Sequence, residues 1–168
     1  MYPYRAPWAR APEFDPLDGA GGLKGPGRWH HLGTRITYTS CSPSLALLES
    51  LVHLVPHRYG EQTLIEIEVP DDKVESVSHG LLVQLLRDGN PAEPEAATRR
   101  FGSEWVKAQR SLALRVPSIV MPFENNLLLN PSHPRCADVR VLRRELVTLD
   151  VRLALEGVAR ADAGPAEP

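Results

Sequence analysis

The sequence predicts an α+β fold, in which a single compact domain contains twisted, mostly antiparallel β-sheets with flanking helices. Several short segments alternate apolar and polar residues, which is the pattern of strands with one exposed face. Two longer segments repeat apolar residues at helical spacing. Several strands together with two main helices are typical of α+β proteins. The length of 168 residues suits one domain with a substantial core.

The first part of the chain is predicted to contain a strand, a loop and a second strand. Residues 2–10 carry Tyr, Trp and Arg and are expected to form a short strand. Residues 11–27 are rich in glycine and proline, so they form either a loop that brings backbone N–H groups to a ligand or a plain surface loop. Ile36 and Tyr38 then alternate with polar neighbours, which predicts a strand with one solvated face.

The first helix is predicted to begin at Ser42 and Pro43, an N-cap followed by proline at the first helical position. At about 100° per residue, Glu49 falls at the edge of the apolar face of this helix. A carboxylate at that edge is half-buried with a partner, points into a cleft or is simply solvated. His53, one turn further on, is expected to be a surface or boundary histidine. The apolar face itself repeats at Leu45, Leu48, Val52 and Val55.

Residues 63–69 alternate cleanly and predict a strand with one exposed face. Ile65 and Ile67 lie on one side of this strand, and Glu66 and Glu68 lie on the other. Both glutamates are therefore expected to be solvated charges rather than catalytic acids.

Two further helical segments and a strand are predicted in the second half of the chain. Residues 77–88 are expected to form a short helix or turn, and residues 98–109 an amphipathic helix with Trp105 as a core anchor. In a strand over residues 112–121, Ser118 falls on an otherwise apolar face. A buried hydroxyl needs a partner, and nearby backbone would serve as well as a ligand.

The C-terminal part is predicted to contain turns and more strands. Pro117 and Pro122 indicate that the strand around Ser118 is an edge strand or carries a bulge. Residues 124–134 form a polar–apolar–polar segment that ends in tight turns, with Asn130 before a proline as a turn starter. The alternation over residues 139–153 predicts two strands that could form a hairpin.

The composition excludes several classes of protein. A net charge of −2 creates no broad positive field for nucleic acid or membrane, and two cysteines do not make a disulfide framework. The N-terminal residues contain no apolar run typical of a signal peptide, so none is expected, and no run of about 20 apolar residues occurs in the sequence. We expect a cytoplasmic protein that neither spans a membrane nor binds nucleic acid directly. Residues 157–168, rich in Ala, Gly and Pro, are expected to be a disordered tail after a domain that spans residues 1–156.

Familiar catalytic motifs are missing from the sequence. It has no phosphate-binding loop ending in Gly-Lys-Ser/Thr, no dinucleotide-binding fingerprint and no Gly-x-Ser-x-Gly elbow. No Cys or His pair has zinc-site spacing, so no metal is expected. The neighbours of Cys41 do not indicate a reactive thiol.

The remaining polar residues concentrate in and after the stretch 25–33. Arg28 lies on a glycine-rich turn and could fork onto phosphate oxygens. Tyr38 can stack on a ring and donate a hydrogen bond. Glu49 can bond ribose hydroxyls and stabilise an oxocarbenium ion as a glycosidic bond breaks. These residue types suit a site that holds an anionic ligand and stabilises a cationic transition state.

Five motifs occur in an order and spacing that resemble the RES-domain family of bacterial toxins, which is named for an arginine, a glutamate and a serine. The similarity covers residues 2–155. The chain departs from the family pattern at His30, where many members have asparagine, and in the spacing of the loop 18–27. The five motifs are Gly-Arg28-Trp-His-His-Leu-Gly33, Ile-Thr-Tyr38, Leu-Ala-Leu-Leu-Glu49-Ser-Leu-Val-His53, Arg115-Val-Pro-Ser118 and Glu124-Asn-Asn126-Leu-Leu-Leu-Asn130-Pro-Ser-His133-Pro.

The resemblance implies an ADP-ribosyltransferase-like fold and NAD as the substrate. Carried over by motif, Arg28 would bind the NAD phosphates, and Tyr38 would stack on or bond the nicotinamide ribose side. Glu49 would stabilise the ribosyl cation, so these three residues would be catalytic. Ser118 and Asn130 would line the pocket.

The resemblance also implies the toxin half of a type II toxin–antitoxin pair. Its partner would be a helix-turn-helix antitoxin whose C-terminal segment blocks the NAD cleft, and a homodimer is left open. Three activities remain as alternatives. The protein degrades NAD by hydrolysis or phosphorolysis, transfers ADP-ribose to a cellular protein, or is an inactive member that only binds nucleotide or antitoxin.

Overall fold

A computed structural model describes residues 2–3, 15–52, 61–90, 92–150 and 153. Three helices and seven strands lie within these ranges. The helices are α1 (Pro43–Leu51), α2 (His79–Arg87) and α3 (Ala96–Ala108). The strands are β1 (Tyr2–Pro3), β2 (Thr37–Ser40), β3 (Glu61–Glu68), β4 (Val74–Ser76), β5 (Ala113–Pro117), β6 (Asn125–Leu129) and β7 (Arg140–Thr148).

The strands form two sheets. The larger has five strands in the order β1-β2-β6-β5-β4, and every pair in it is antiparallel except β4 with β5. The smaller sheet pairs β3 antiparallel with β7. The predicted α+β fold with mostly antiparallel sheets is therefore confirmed. The predicted domain end at residue 156, the tail 157–168 and His53 lie outside the described residues.

The core occupies both faces of the five-stranded sheet. One face packs against α2 and α3 and includes Trp29, Trp105 and Leu128. The other face includes Ile65 and Leu127. Because adjacent residues of β6 belong to different clusters, this central strand is covered on both sides.

Several local predictions are confirmed. The Ser42 hydroxyl caps α1 by accepting a hydrogen bond from the Leu45 N–H at 3.1 Å, and Pro43 follows it. Ile65 and Ile67 are buried in β3, as the alternation predicts. Trp105 is completely buried in α3, and its indole N–H donates to Ser111 Oγ at 2.8 Å.

Burial on both faces explains a strand that the alternation did not reveal and one prediction that was wrong. The segment 124–134 ends in the predicted turn at Asn130, but it also contains a central strand, β6. A strand covered on both sides loses the alternation that identifies it in a sequence. Thr37 and Thr39 in β2 are buried rather than solvated. The Thr39 hydroxyl compensates for its burial by donating to the Leu127 carbonyl at 2.7 Å.

Two predictions about strand position were also wrong. β5 lies between β6 and β4, so it is not an edge strand. Pro117 is tolerated because β4 pairs only with residues 113–115 and needs no N–H from position 117. Residues 140–148 form one long strand that pairs with β3, not two strands of a hairpin.

Candidate active site

The buried carboxylate of Glu49 marks the candidate site. Glu49 lies inside α1, only 6% exposed, on the side that packs against the five-stranded sheet. Its Oε1 atom accepts a hydrogen bond from Ser118 Oγ at 2.8 Å and another from Asn126 Nδ2 at 2.6 Å. A buried carboxylate is costly unless donors satisfy it, and two neutral donors do so here. Of the alternatives for Glu49, the structure shows burial with partners.

The two oxygens of Glu49 have different surroundings. Oε1 is fixed by two donors, one on β6 and one directly after β5, whereas Oε2 accepts no hydrogen bond from the described part of the chain. The Oε2 atom is not completely buried, so it keeps contact with solvent. The carboxylate is thus held by one oxygen and presents the other.

Sheet pairing supports the donors to Glu49. Ser40 in β2 lies directly opposite Asn126 in β6, and its hydroxyl donates to Asn126 Oδ1 at 2.8 Å. Ser118 Oγ in turn accepts a hydrogen bond from the Met121 N–H at 2.9 Å. These bonds fix which atom of each side chain faces Glu49, so the amide of Asn126 presents its N–H group to the carboxylate.

Asn126 is the site residue that reasoning from the sequence missed. It lies inside one of the motifs that resemble the RES family, but only the turns at the end of this segment were predicted, and no strand was assigned to it. A strand prediction for residues 125–129 would have placed Asn126 two positions from Leu128 on the same face. The motif in the sequence contained Asn126, but the direction of its side chain became clear only from the pairing of β6 with β2.

Arg28 lies at the tip of a tight turn whose two ends, Gly27 and His30, are hydrogen-bonded to each other. The Gly27 N–H donates to the His30 carbonyl at 3.1 Å, and the His30 N–H donates to the Gly27 carbonyl at 3.4 Å. The Arg28 guanidinium forms an ion pair with Glu95 at 2.9 Å and is about one-third exposed. The same Glu95 carboxylate pairs with Arg99 at 2.8 Å, through its other oxygen.

Tyr38 lies on the same face of β2 as Ser40, two residues before it, and joins this strand to the Arg28 turn. The Tyr38 hydroxyl is 2.8 Å from His30 Nδ1 and accepts a hydrogen bond from the Trp29 N–H at 3.1 Å. The turn is therefore attached to the sheet that carries the Glu49 donors.

Asn130 lies apart from Glu49. It is four residues from Asn126, about 13 Å along the chain direction. Its Nδ2 donates to the Val106 carbonyl at 2.9 Å, and its Oδ1 accepts from the Ser132 N–H at 3.0 Å. Among the residues predicted from the sequence, Glu49 and Ser118 are in contact, Tyr38 lies on the same sheet, and Asn130 holds the end of α3 and a turn.

The two cysteines have thiols of low reactivity. Partial burial raises the pKa of the Cys41 thiol, and the nearby Arg115 offsets this only in part. Burial also raises the pKa of Cys136, as does Asp15. Both thiols therefore stay protonated at neutral pH. Within the described ranges no group of three or more His, Cys, Asp or Glu side chains could hold a metal. None of the described helices is long and apolar enough to cross a membrane.

Comparison with protein families places this chain in the RES-domain family, because the family model for the RES domain matches residues 2–153. A protein from Sphingobium sp. (strain YBL2), named Prs ADP-ribosylating toxin, is 38% identical over an alignment of 156 residues, and the match covers 86% of this chain and 91% of that protein. A protein from Pseudomonas putida (strain KT2440), named Toxin Res, is 38% identical over 147 residues, 86% of this chain and 97% of that protein.

A solved structure supports the same fold. The crystal structure of the M. tuberculosis MbcT–MbcA toxin–antitoxin complex matches with a TM-score of 0.59 and 15% identity. The match covers 96% of this chain and 87% of the chain in that structure. At this identity the match shows the fold alone. The predicted family and fold class are thus confirmed.

Proposed function

We propose that this protein is the toxin of a toxin–antitoxin pair and that it cleaves the nicotinamide–ribose bond of NAD⁺. The observation that carries the proposal is the Glu49 carboxylate, held through Oε1 by Ser118 and Asn126 with Oε2 left open. The names of the Sphingobium and Pseudomonas relatives support the toxin assignment. The neighbouring structure, a toxin–antitoxin complex, supports an antitoxin partner for this chain.

The chemistry requires a fixed negative charge beside a developing positive one. As the bond between the ribose anomeric carbon and the nicotinamide nitrogen breaks, its electron pair leaves with nicotinamide and the ribose becomes an oxocarbenium ion. A carboxylate that is already oriented stabilises this ion without reorganising during the reaction. Glu49 meets this requirement because one donor, Asn126, lies in β6 and the other, Ser118, directly follows the paired strand β5.

Arg28 and Tyr38 bind two other parts of the substrate, the pyrophosphate and the nicotinamide side. Arg28 carries the charge and the planar fork that match a pyrophosphate oxygen pair. Tyr38, on the same face of β2 as Ser40, supplies a ring that stacks against the nicotinamide side. Attack by water yields ADP-ribose, nicotinamide and a proton, whereas attack by phosphate yields the 1-phosphate of ADP-ribose and nicotinamide.

Transfer of ADP-ribose to a protein is the second candidate function. It is favoured by the name of the Sphingobium relative, an ADP-ribosylating toxin at 38% identity. The same carboxylate would serve this reaction, because only the attacking group differs. The acceptor therefore has to be found by experiment.

The experiment incubates the purified protein with NAD⁺ labelled in its adenylate part, with and without phosphate and with and without a bacterial lysate. We expect free nicotinamide and labelled small products in the absence of lysate. Label on a lysate protein, with little nicotinamide released without lysate, supports transfer instead. Glu49→Gln is the matched control, because glutamine keeps an acceptor for Ser118 and Asn126 and removes the charge. Absence of nicotinamide release in every condition contradicts both reactions and leaves a binding module.

A further inference from the structure

The His30 side chain is buried, 3% exposed, and bridges two parts of the site. Its Nε2 lies 3.0 Å from the Gly25 carbonyl oxygen, and its Nδ1 lies 2.8 Å from the Tyr38 hydroxyl. The imidazole thus contacts the loop before Arg28 through one nitrogen and the strand that carries Tyr38 through the other.

For a neutral ring, the bonding partners select one tautomer. A carbonyl oxygen only accepts, so His30 Nε2 carries the hydrogen that faces Gly25. In the neutral ring Nδ1 is then an acceptor, and the Tyr38 hydroxyl donates to it. The Tyr38 oxygen accepts from the Trp29 N–H at the same time. In this tautomer the hydroxyl hydrogen of Tyr38 points to His30 Nδ1.

Close packing keeps the ring in place. A Cβ atom at Gly27 would lie 2.6 Å from His30 Cε1 and 2.8 Å from the Tyr38 hydroxyl oxygen, so position 27 has no room for a side chain. Gly27 is also the residue that pairs with His30 through two backbone hydrogen bonds to close the Arg28 turn. The histidine therefore closes the turn with its backbone and attaches it to β2 with its side chain.

We propose that His30 is a positioning residue of the NAD site, which holds the Arg28 turn against Tyr38 so that both groups meet the substrate in one fixed arrangement. The inference rests on the proposed function of the site. The two ring hydrogen bonds of His30 go to Gly25 and Tyr38, not to Glu49 or its donors. Its loss should weaken substrate binding and leave the chemical step largely unchanged.

Two substitutions separate the two bonds of the ring. His30→Asn places an amide oxygen near the position of Nδ1, which preserves an acceptor for Tyr38 and loses the bond to Gly25. His30→Gln places an amide nitrogen near the position of Nε2, which preserves the donor to Gly25 and loses the acceptor for Tyr38. Both side chains are polar and similar in size, so the pair controls for general effects on packing.

We expect His30→Gln to raise the KM for NAD⁺ about tenfold, which corresponds to the loss of one hydrogen bond, with kcat within about threefold of the wild type. His30→Asn should recover most of this loss. Nicotinamide release as a function of NAD⁺ concentration measures both constants, and calorimetry with ADP-ribose measures binding without turnover. Equal constants for the two variants, or a fall in kcat with KM unchanged, would overturn the positioning role.

A second measurement does not depend on turnover. Nitrogen-15 NMR of the histidine rings reads the tautomer of His30 in the folded wild-type protein, and the signal is assigned by its loss in His30→Asn. We expect the hydrogen on Nε2. A hydrogen on Nδ1 would overturn the positioning role of His30 even in a protein that consumes NAD⁺. A wild-type protein that releases no nicotinamide would instead contradict the proposed function. The tautomer would then still show whether His30 bonds to Gly25 and Tyr38 as described.

Discussion

The two sheets of this molecule place glutamate side chains in opposite environments. In the five-stranded sheet, the Glu49 carboxylate is buried and satisfied by two neutral donors, Ser118 and Asn126. In the two-stranded sheet, Glu66 and Glu145 form ion pairs with Arg143 at 2.6 and 2.7 Å, and the Arg143 side chain is 55% exposed. Neutral donors leave the full negative charge of Glu49 available to a ligand, whereas an arginine partner neutralises the charge of Glu66.

The difference shows what burial contributes to function. Exposed ion pairs stabilise a protein by about 1 kcal/mol or less, because water screens them and long side chains lose freedom. A buried carboxylate costs more to keep, and its donors must come from rigid elements. Asn126 on β6 and Ser118 at the end of β5 meet this need, so the cost of burying Glu49 agrees with an electrostatic role.

The largest expected effect comes from removing the buried charge. Glu49→Gln keeps an acceptor for Ser118 and Asn126, so stability to urea should stay near that of the wild type. Nicotinamide release should fall by about 100-fold or more, since fixed electrostatic stabilisation contributes on that scale. Activity within tenfold of the wild type would mean that the buried carboxylate is structural, and the contrast with Glu66 would lose its functional meaning.

The second-largest effect is expected from replacing Arg28, the proposed phosphate-binding residue. Arg28→Ala removes a charged hydrogen-bond donor and should raise the KM for NAD⁺ by roughly 10- to 100-fold, with a smaller change in kcat. Arg28→Lys should recover part of the affinity, because a point charge replaces the charge but not the planar fork. Steady-state kinetics of the two variants check this, and an Arg28→Ala protein with unchanged KM would exclude Arg28 from phosphate binding.

A smaller effect concerns the present partner of Arg28. The Glu95 carboxylate is shared between Arg28 and Arg99. In the proposed site it would compete with a substrate phosphate for Arg28. Glu95→Gln should lower the KM for NAD⁺ by about two- to fivefold, an effect of the size of a partly exposed ion pair. The same kinetic assay measures it. A higher KM would show that Glu95 holds Arg28 in its binding position rather than competing for it.

The smallest effect is expected in the two-stranded sheet. Arg143→Ala removes exposed ion pairs with Glu66 and Glu145 and should lower the unfolding free energy by about 1 kcal/mol or less. NAD consumption should not change. Urea denaturation and the nicotinamide assay check the two parts, and a loss of activity in this variant would show that the two sheets are coupled.

Patterns among neighbouring residues were sufficient to predict a helix start, a strand and a core residue. The N-cap at Ser42, the alternation in β3 and the anchor Trp105 each depend on neighbours in the sequence, and all three predictions are confirmed. The resemblance to the RES family depended on short motifs, and the match over residues 2–153 confirms the family. The roles of Arg28, Tyr38 and Glu49 in NAD binding remain predictions.

Only the tertiary structure decided which polar groups meet. Ser118 and Asn126 are 69 and 77 residues from Glu49 in the chain, and Ser40 is 86 residues from Asn126. Such contacts follow from the pairing of β2 with β6 and of β6 with β5, and no local periodicity carries that information. For the same reason the sequence could not show that Asn130 faces the end of α3 or that His30 joins the Arg28 turn to Tyr38.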